Sequence, residues 1–205
     1  LISRGHYVRK NKRQQNLRKA IILGISAALI TAGGFVWYHK TRPYHFRVIT
    51  PGVLYRSGWM KPHNFEKIIN KYHIRTVVNL CLQSEDTFIK NCEDEQHICK
   101  ANNVKLVHLP LPANTPPDDE QLLQWLNLLK DPKRLPVLVH CAQGATRTSV
   151  MVAIYEMEFL GKRNRETLEG LDTFGHEMNE PKRKAICDFI LNYNRQKTNS
   201  NNKGT

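Results

Sequence analysis

Apolar residues along this chain fall into one long uninterrupted run, several short β-branched runs and several helical stripes. Phe46 to Thr50 and Val53 to Arg56, on either side of Pro51-Gly52, predict two strands joined by a turn. Ile74 to Leu82 has the near-continuous β-branched content of a strand covered on both faces, and Val104 to Leu111 and Leu135 to Val139 read as further strands. Between them the period changes to that of a helix. Asn64 to Tyr72 places Phe65, Ile68, Ile69 and Tyr72 on one side, and Glu120 to Lys130 carries a stripe of Leu122, Leu123, Trp125, Leu126 and Leu129. Glu93 to Asn102, Thr148 to Leu160 and Lys182 to Tyr193 are also expected to be helical. Strands alternating with helices predict an α/β fold with a central, mostly parallel sheet flanked by helices.

The long run, Ala20 to Tyr38, contains no charged residue. As a helix it spans about 28 Å, close to the thickness of a bilayer core, so a single transmembrane helix is expected before the α/β domain. Trp37 and Tyr38 suit an interfacial aromatic belt. The resulting division is a basic segment over 1–19, the transmembrane helix over 20–38, a tether over 39–45, an α/β domain over 46–193 and a polar tail over 194–205.

Charge changes this picture in two ways. The formal net charge of +13 suggests a polyanion binder, but twelve of the 31 Lys and Arg residues precede Glu66, the first acidic residue. The rest of the chain is nearly neutral, which argues against a nucleic-acid partner. Basic residues also flank the apolar run unevenly: Arg9, Lys10, Lys12, Arg13, Arg18 and Lys19 before it, against Lys40, Arg42 and Arg47 after it. This bias favours a cytoplasmic N-terminus, with the globular domain on the outer, extracytoplasmic or periplasmic side of the membrane.

The candidate chemistry lies in His140-Cys-Ala-Gln-Gly-Ala-Thr-Arg-Thr-Ser149, directly after the predicted strand Leu135 to Val139. A strand, a short loop and a helix start make an anion site, because successive loop amides point inward and the helix N-terminus adds partial positive charge. Gly144 permits the tight backbone, and Arg147 presents a planar fork suited to two phosphate oxygens. The same positive surroundings favour the thiolate form of Cys141, the nucleophilic form.

Cys141, five intervening positions, Arg147 and then Thr148 resemble the signature of cysteine-dependent protein tyrosine and dual-specificity phosphatases, the CX5R or P-loop type. The segments from Phe46 to Pro62, Thr76 to Asp86, Leu106 to Ala113, Pro136 to Lys162 and Lys184 to Tyr193 are similar, in order, to compact bacterial dual-specificity-type members. The resemblance implies that Cys141 forms a cysteinyl-phosphate that water then hydrolyses, with no metal and no cofactor. It assigns phosphate binding to Ala142, Gln143, Gly144, Ala145, Thr146 and Arg147, loop orientation to His140, and thiolate release to the Thr148 hydroxyl. The general acid is expected on the segment after Val104 to Leu111, where Asp118 or Asp119 is available; both also suit the first turn of a helix. The neutral loop interior disfavours polyphosphorylated inositides as substrates. The expected substrate is a phosphorylated protein; a membrane-associated lipid or other small phosphate, or phosphate binding without turnover, are the alternatives.

Of the five cysteines, Cys187 is assigned to the core. Cys92 and Cys99, on one predicted helix, lie about 10 Å apart, too far for a disulfide. They form no convincing metal set with His97. Cys81 ends the strand expected beside that of Cys141 and is a candidate redox partner for it.

Overall fold

The computed structural model describes residues 18–34, 43–171, 173–175 and 181–195. The chain divides into two units, residues 1–42 and 43–205. In the first, helix α1 covers residues 18–34. Among the described residues no helix is long and apolar enough to cross a membrane. The expected transmembrane helix over 20–38 is therefore corrected, and with it the membrane attachment and the extracytoplasmic placement of the second unit. The described part of α1 offers residues 20–34 as its uncharged stretch, about 22 Å of helix against a hydrocarbon core of about 30 Å. Residues 35–38, the basic segment 1–17, most of the tether and the tail from 196 lie outside the described residues.

The second unit holds a five-stranded sheet in the order β1-β2-β5-β3-β4. β1 (Arg47–Thr50) pairs antiparallel with β2 (Leu54–Ser57). β3 (Thr76–Asn79), β4 (Lys105–His108) and β5 (Val137–His140) complete it, with the pairs β2/β5, β3/β5 and β3/β4 all parallel. The runs that predict β4 and β5 contain Pro110 and Pro136, which lack the N–H a continued ladder needs, and both strands are shorter than those runs.

Period-2 alternation divides the strand side chains between two cores. Leu54, Val78, Val137 and Val139 face one core. Tyr55, Val77 and Leu138 face the other. On the first face lie α4 (Asp119–Lys130), α5 (Thr146–Phe159) and α7 (Lys184–Leu191), which supply Leu122, Trp125, Met151, Ile154, Ile186 and Ile190. The Trp125 indole N–H donates to the Met151 carbonyl at 3.0 Å, so burying it leaves no donor unsatisfied. α5 is buried from Arg147 to Tyr155, as expected of a helix apolar on all sides and covered by its neighbours. The short helix α6 (Asn164–Glu169) follows it.

On the second face α2 (Pro62–Tyr72) buries Phe65, Ile68 and Ile69, matching its predicted stripe. α3 runs from Asp86 to Ala101 and begins seven positions before the predicted start. The missed turns, residues 86–92, contain no buried side chain, so they do not read as an apolar stripe. Cys92 and Cys99 both lie on α3, and all five cysteines are free thiols.

Candidate active site

β5 ends at His140, α5 begins at Thr146, and the loop between them carries Cys141, which is 2% exposed. The loop backbone is held from outside. The Ala142 carbonyl accepts from the Trp59 amide at 3.0 Å, and the Ala145 carbonyl from the Ser149 amide at 2.9 Å. The Gln143 carbonyl accepts from His45 Nδ1 at 2.7 Å, and the Gly144 carbonyl from an Arg56 Nη2 that also reaches Ser149 Oγ at 2.8 Å. In a planar trans peptide the N–H points opposite to the C=O. Four carbonyls anchored outward therefore leave the amides of Gln143, Gly144, Ala145 and Thr146 facing the concave side. The Gly144 N–H lies 3.1 Å from Cys141 Sγ, a contact that stabilises negative charge on sulfur.

Gly144 is required on two counts. Its φ is +67°, and a Cβ there would stand 2.3 Å from the Gly58 nitrogen. Gly58 is the other half of this contact, since a Cβ on it would meet the Gln143 carbonyl oxygen at 2.7 Å. The segment Arg56 to Trp59 thus braces the loop from β2.

A cleft of about 440 Å³ opens above Cys141. The loop contributes Cys141, Ala142, Gln143, Thr146 and Arg147 to its walls, and the β4–α4 connection contributes Ala113 and Asn114. Glu85, Lys182 and Arg183 also line it. Arg147 Nη2 donates to Glu85 Oε2 at 2.9 Å, and Nη1 pairs with Glu85 Oε1 while reaching the Leu80 and Leu111 carbonyls at 3.3 Å each. Burial alone would raise the Glu85 carboxyl, but hydrogen bonds from Arg147 and from the Leu82 amide hold it below the usual carboxylate range.

Behind the loop lies a polar network. His140 Nε2 stands 2.6 Å from Glu95 Oε1, and Glu95 Oε2 accepts from Asn79 Nδ2 at 2.7 Å. Asn79 Oδ1 in turn accepts the Cys81 amide at 2.9 Å. His140, at the end of β5, is thereby tied to the ends of β3 and to α3. The Thr148 hydroxyl is fully buried and has no hydrogen-bond partner among the described residues. Asp118 is the N-cap of α4, its carboxylate accepting the Gln121 amide in a capping box, and Asp119 opens the helix. Neither lines the cleft; Asn114, from the same connection, does. Cys81 and Cys141 share one buried cluster, and burial pushes the Cys81 thiol up to about 12 despite the opposing pull of Arg147. Among the described residues no cluster of three or more His, Cys, Asp or Glu side chains could hold a metal ion.

Arg56, Gly58, Trp59, Glu85, Glu95, Lys182 and Arg183 are site or supporting residues that sequence reasoning missed. Arg56 left one signal: a charge two positions from Leu54, on the face that alternation assigns to the core.

A family model described as DSP-PTPase phosphatase fused to NAD+ kinase matches residues 54–187, more than half of the chain. The chain belongs to this family. This phosphatase-family chain is 29% identical over 114 residues to inositol diphosphatase DSP3 of Arabidopsis thaliana, covering 54% of the chain and 52% of that protein. It is 28% identical over 129 residues to the tyrosine-protein phosphatase-like protein OCA2 of Saccharomyces cerevisiae, covering 62% of the chain and 58% of that protein. The chain thus spans little more than half the length of these curated relatives. Its fold is shared with TpbA of P. aeruginosa, at a TM-score of 0.56 and 23% identity over 72% of this chain and 83% of that one. The S. cerevisiae PP-IP phosphatase SIW14 catalytic core, solved with citrate, aligns at a TM-score of 0.60 and 20% identity over 74% of this chain and 86% of that one.

Proposed function

We propose that the chain hydrolyses phosphate esters or anhydrides through a cysteinyl-phosphate on Cys141. The carrying observation is the loop itself: a sulfur at the cleft floor, ringed by amides whose carbonyls are all held outward, with Arg147 in the wall. Substrate phosphate seats on the amides from Ala142 to Arg147 and on the Arg147 fork, which stabilise the equatorial oxygens as charge develops. The Cys141 thiolate attacks phosphorus, and the bond to the leaving oxygen breaks. Water then attacks the cysteinyl-phosphate, the S–P bond breaks, and phosphate and thiolate separate. Thr148 is assigned to this second step as a donor to the departing thiolate, which requires its hydroxyl to turn toward Cys141.

The leaving group decides the substrate class. Among the described residues Glu85 is the only carboxylate lining the cleft, and it is committed to Arg147. With no free acid among the described residues lining it, the site suits a leaving group that departs as a stable anion, such as a phenolate or a phosphate. Phosphotyrosine proteins meet this requirement and are the first reading. Diphosphates meet it better, and the relative named as an inositol diphosphatase supports that second reading.

The test is turnover of an aryl phosphate and of a diphosphate by the full chain, beside Cys141→Ser and Arg147→Ala. Turnover lost in both variants, with a phosphoenzyme trapped in the parent, is expected. Phosphate binding without turnover of either substrate by the parent would overturn the enzyme reading.

A further inference from the structure

A second cleft, of about 740 Å³, lies away from Cys141. Its walls carry Arg75, Lys100, Lys105, Lys133 and Arg134 and a single acid, Asp131. Arg134 Nε pairs with Asp131 Oδ2 at 3.4 Å. Among the described residues the other four cations pair with no acid, and all four are exposed. Topology places this cleft. Arg75 directly precedes β3, Lys105 opens β4, and Lys133 precedes β5, three strands that run parallel. Lys100 stands in the last turn of α3, which leads into β4. Cys141 follows β5, so the two clefts lie at opposite ends of the sheet, about 10 Å of strand apart. Both can be occupied at once.

Four like charges around one hollow repel one another, a penalty that an anionic occupant removes. Neither end of this sequence supplies it, because residues 1–17 and 196–205 contain no Asp or Glu. Two further features identify the class of occupant. β4 is the edge strand, so the outer row of N–H and C=O groups along it has no strand partner among the described residues. Thr76, in the cleft wall, is fully buried, and its hydroxyl has no hydrogen-bond partner among the described residues. A peptide offers such an edge both donors and acceptors, whereas a phosphate backbone offers no row of donors. Among the described residues no aromatic ring lines the cleft to stack a base.

We propose that this cleft docks an acidic segment of a partner protein, with its carboxylates on Arg75, Lys100, Lys105 and Lys133 and its backbone along the edge of β4. Exposed charges of this kind select and steer a partner more than they tighten it, and the binding weakens as salt rises.

The experiment is fluorescence anisotropy on the full chain at low salt. The probe is a labelled peptide of alternating Glu and Thr, about ten residues long and so able to run past β4. The same peptide with Gln for Glu, and an oligothymidylate of equal net charge, are the comparison ligands. Arg75→Gln/Lys105→Gln removes two cations of the cleft. Arg9→Gln/Lys12→Gln removes the same charge from the basic segment before α1 and is the control. The Glu peptide is expected to bind the parent and the Gln peptide not to. The cleft pair should weaken the Glu peptide roughly fivefold, as loss of two exposed charge contacts predicts, and the control pair less than twofold. Oligothymidylate should respond equally to both pairs. No binding of the Glu peptide by the parent, or equal effects of the two pairs on it, would overturn the docking site. A cleft-pair loss greater for oligothymidylate than for the peptide would overturn the assignment to a protein partner. Binding is read directly, so the outcome stands whether or not Cys141 turns substrate over.

Discussion

Replacing Glu85 by Gln keeps the volume of the side chain and removes its charge. Arg147 Nη2 then loses its one charged acceptor, at 2.9 Å, while Nη1 keeps the Leu80 and Leu111 carbonyls at 3.3 Å each. The guanidinium stays in the wall but is no longer clamped on both arms. Hydrogen bonds to charged groups contribute about 1.5–3 kcal/mol. With the Glu85 side chain 26% exposed, solvent screening puts this pair at the lower end. About 1.5 kcal/mol corresponds to roughly a tenfold fall in kcat/KM, since 1.36 kcal/mol is a factor of ten in rate. Steady-state hydrolysis of an aryl phosphate is the assay, with Glu85→Asp restoring part of the loss. Stability gives an independent readout. A carboxyl held below its unfolded value, about 4.3 for glutamate, contributes stability that is complete above that value and lost as pH falls through the lower folded one. The parent should therefore out-melt Glu85→Gln at pH 7, and the two should converge as pH falls below about 4.3 and through the lower folded value. A variant with equal or higher kcat/KM would refute the positioning role and make Glu85 a competitor of substrate phosphate.

Three further outcomes follow from the site. Gly144→Ala forces a Cβ into the Gly58 backbone at φ +67° and should abolish turnover and lower Tm, with the left-handed conformation alone costing about 1–2 kcal/mol. Asp118→Ala removes the cap of α4 and should cost about 1 kcal/mol in denaturant unfolding; loss of one limb of the pH–rate profile in Asp118→Asn, which retains a capping oxygen, would reinstate it as the acid. Peroxide should convert Cys141 to a sulfenic acid that condenses with the Cys81 thiol, releasing water and forming a disulfide. Peptide mapping of oxidised protein that finds no such bridge would remove Cys81 as the redox partner.

The apolar patterns determine the α/β class, the alternation of elements and the two-sided burial of β3 and β5, because period and β-branched content are local properties of the chain. The spacing of Cys141, Gly144 and Arg147 likewise defines an anion loop without reference to any distant residue. Where a polar residue sits on a buried face the reading fails, as at Glu95 in α3, since burial of an acid depends on partners such as Asn79. Hydropathy over residues 20–38 measures composition, whereas spanning a bilayer also needs continuous helix, and among the described residues no helix is long and apolar enough.

Only the tertiary structure decides what surrounds the loop. A neutral sequence from Ala142 to Thr146 implies a lightly charged pocket, yet the fold brings Glu85 from the start of α3 and Lys182 and Arg183 from the turn before α7 into one cleft. Asp118, legible as an acid near the site, is turned to capping α4. Local sequence determines a nucleophile and the peptide units of its cradle, while Trp59, His45 and Arg56 hold those units in place. The charge of the cleft is set by residues far apart in the chain, whose meeting depends on how strands and helices pack.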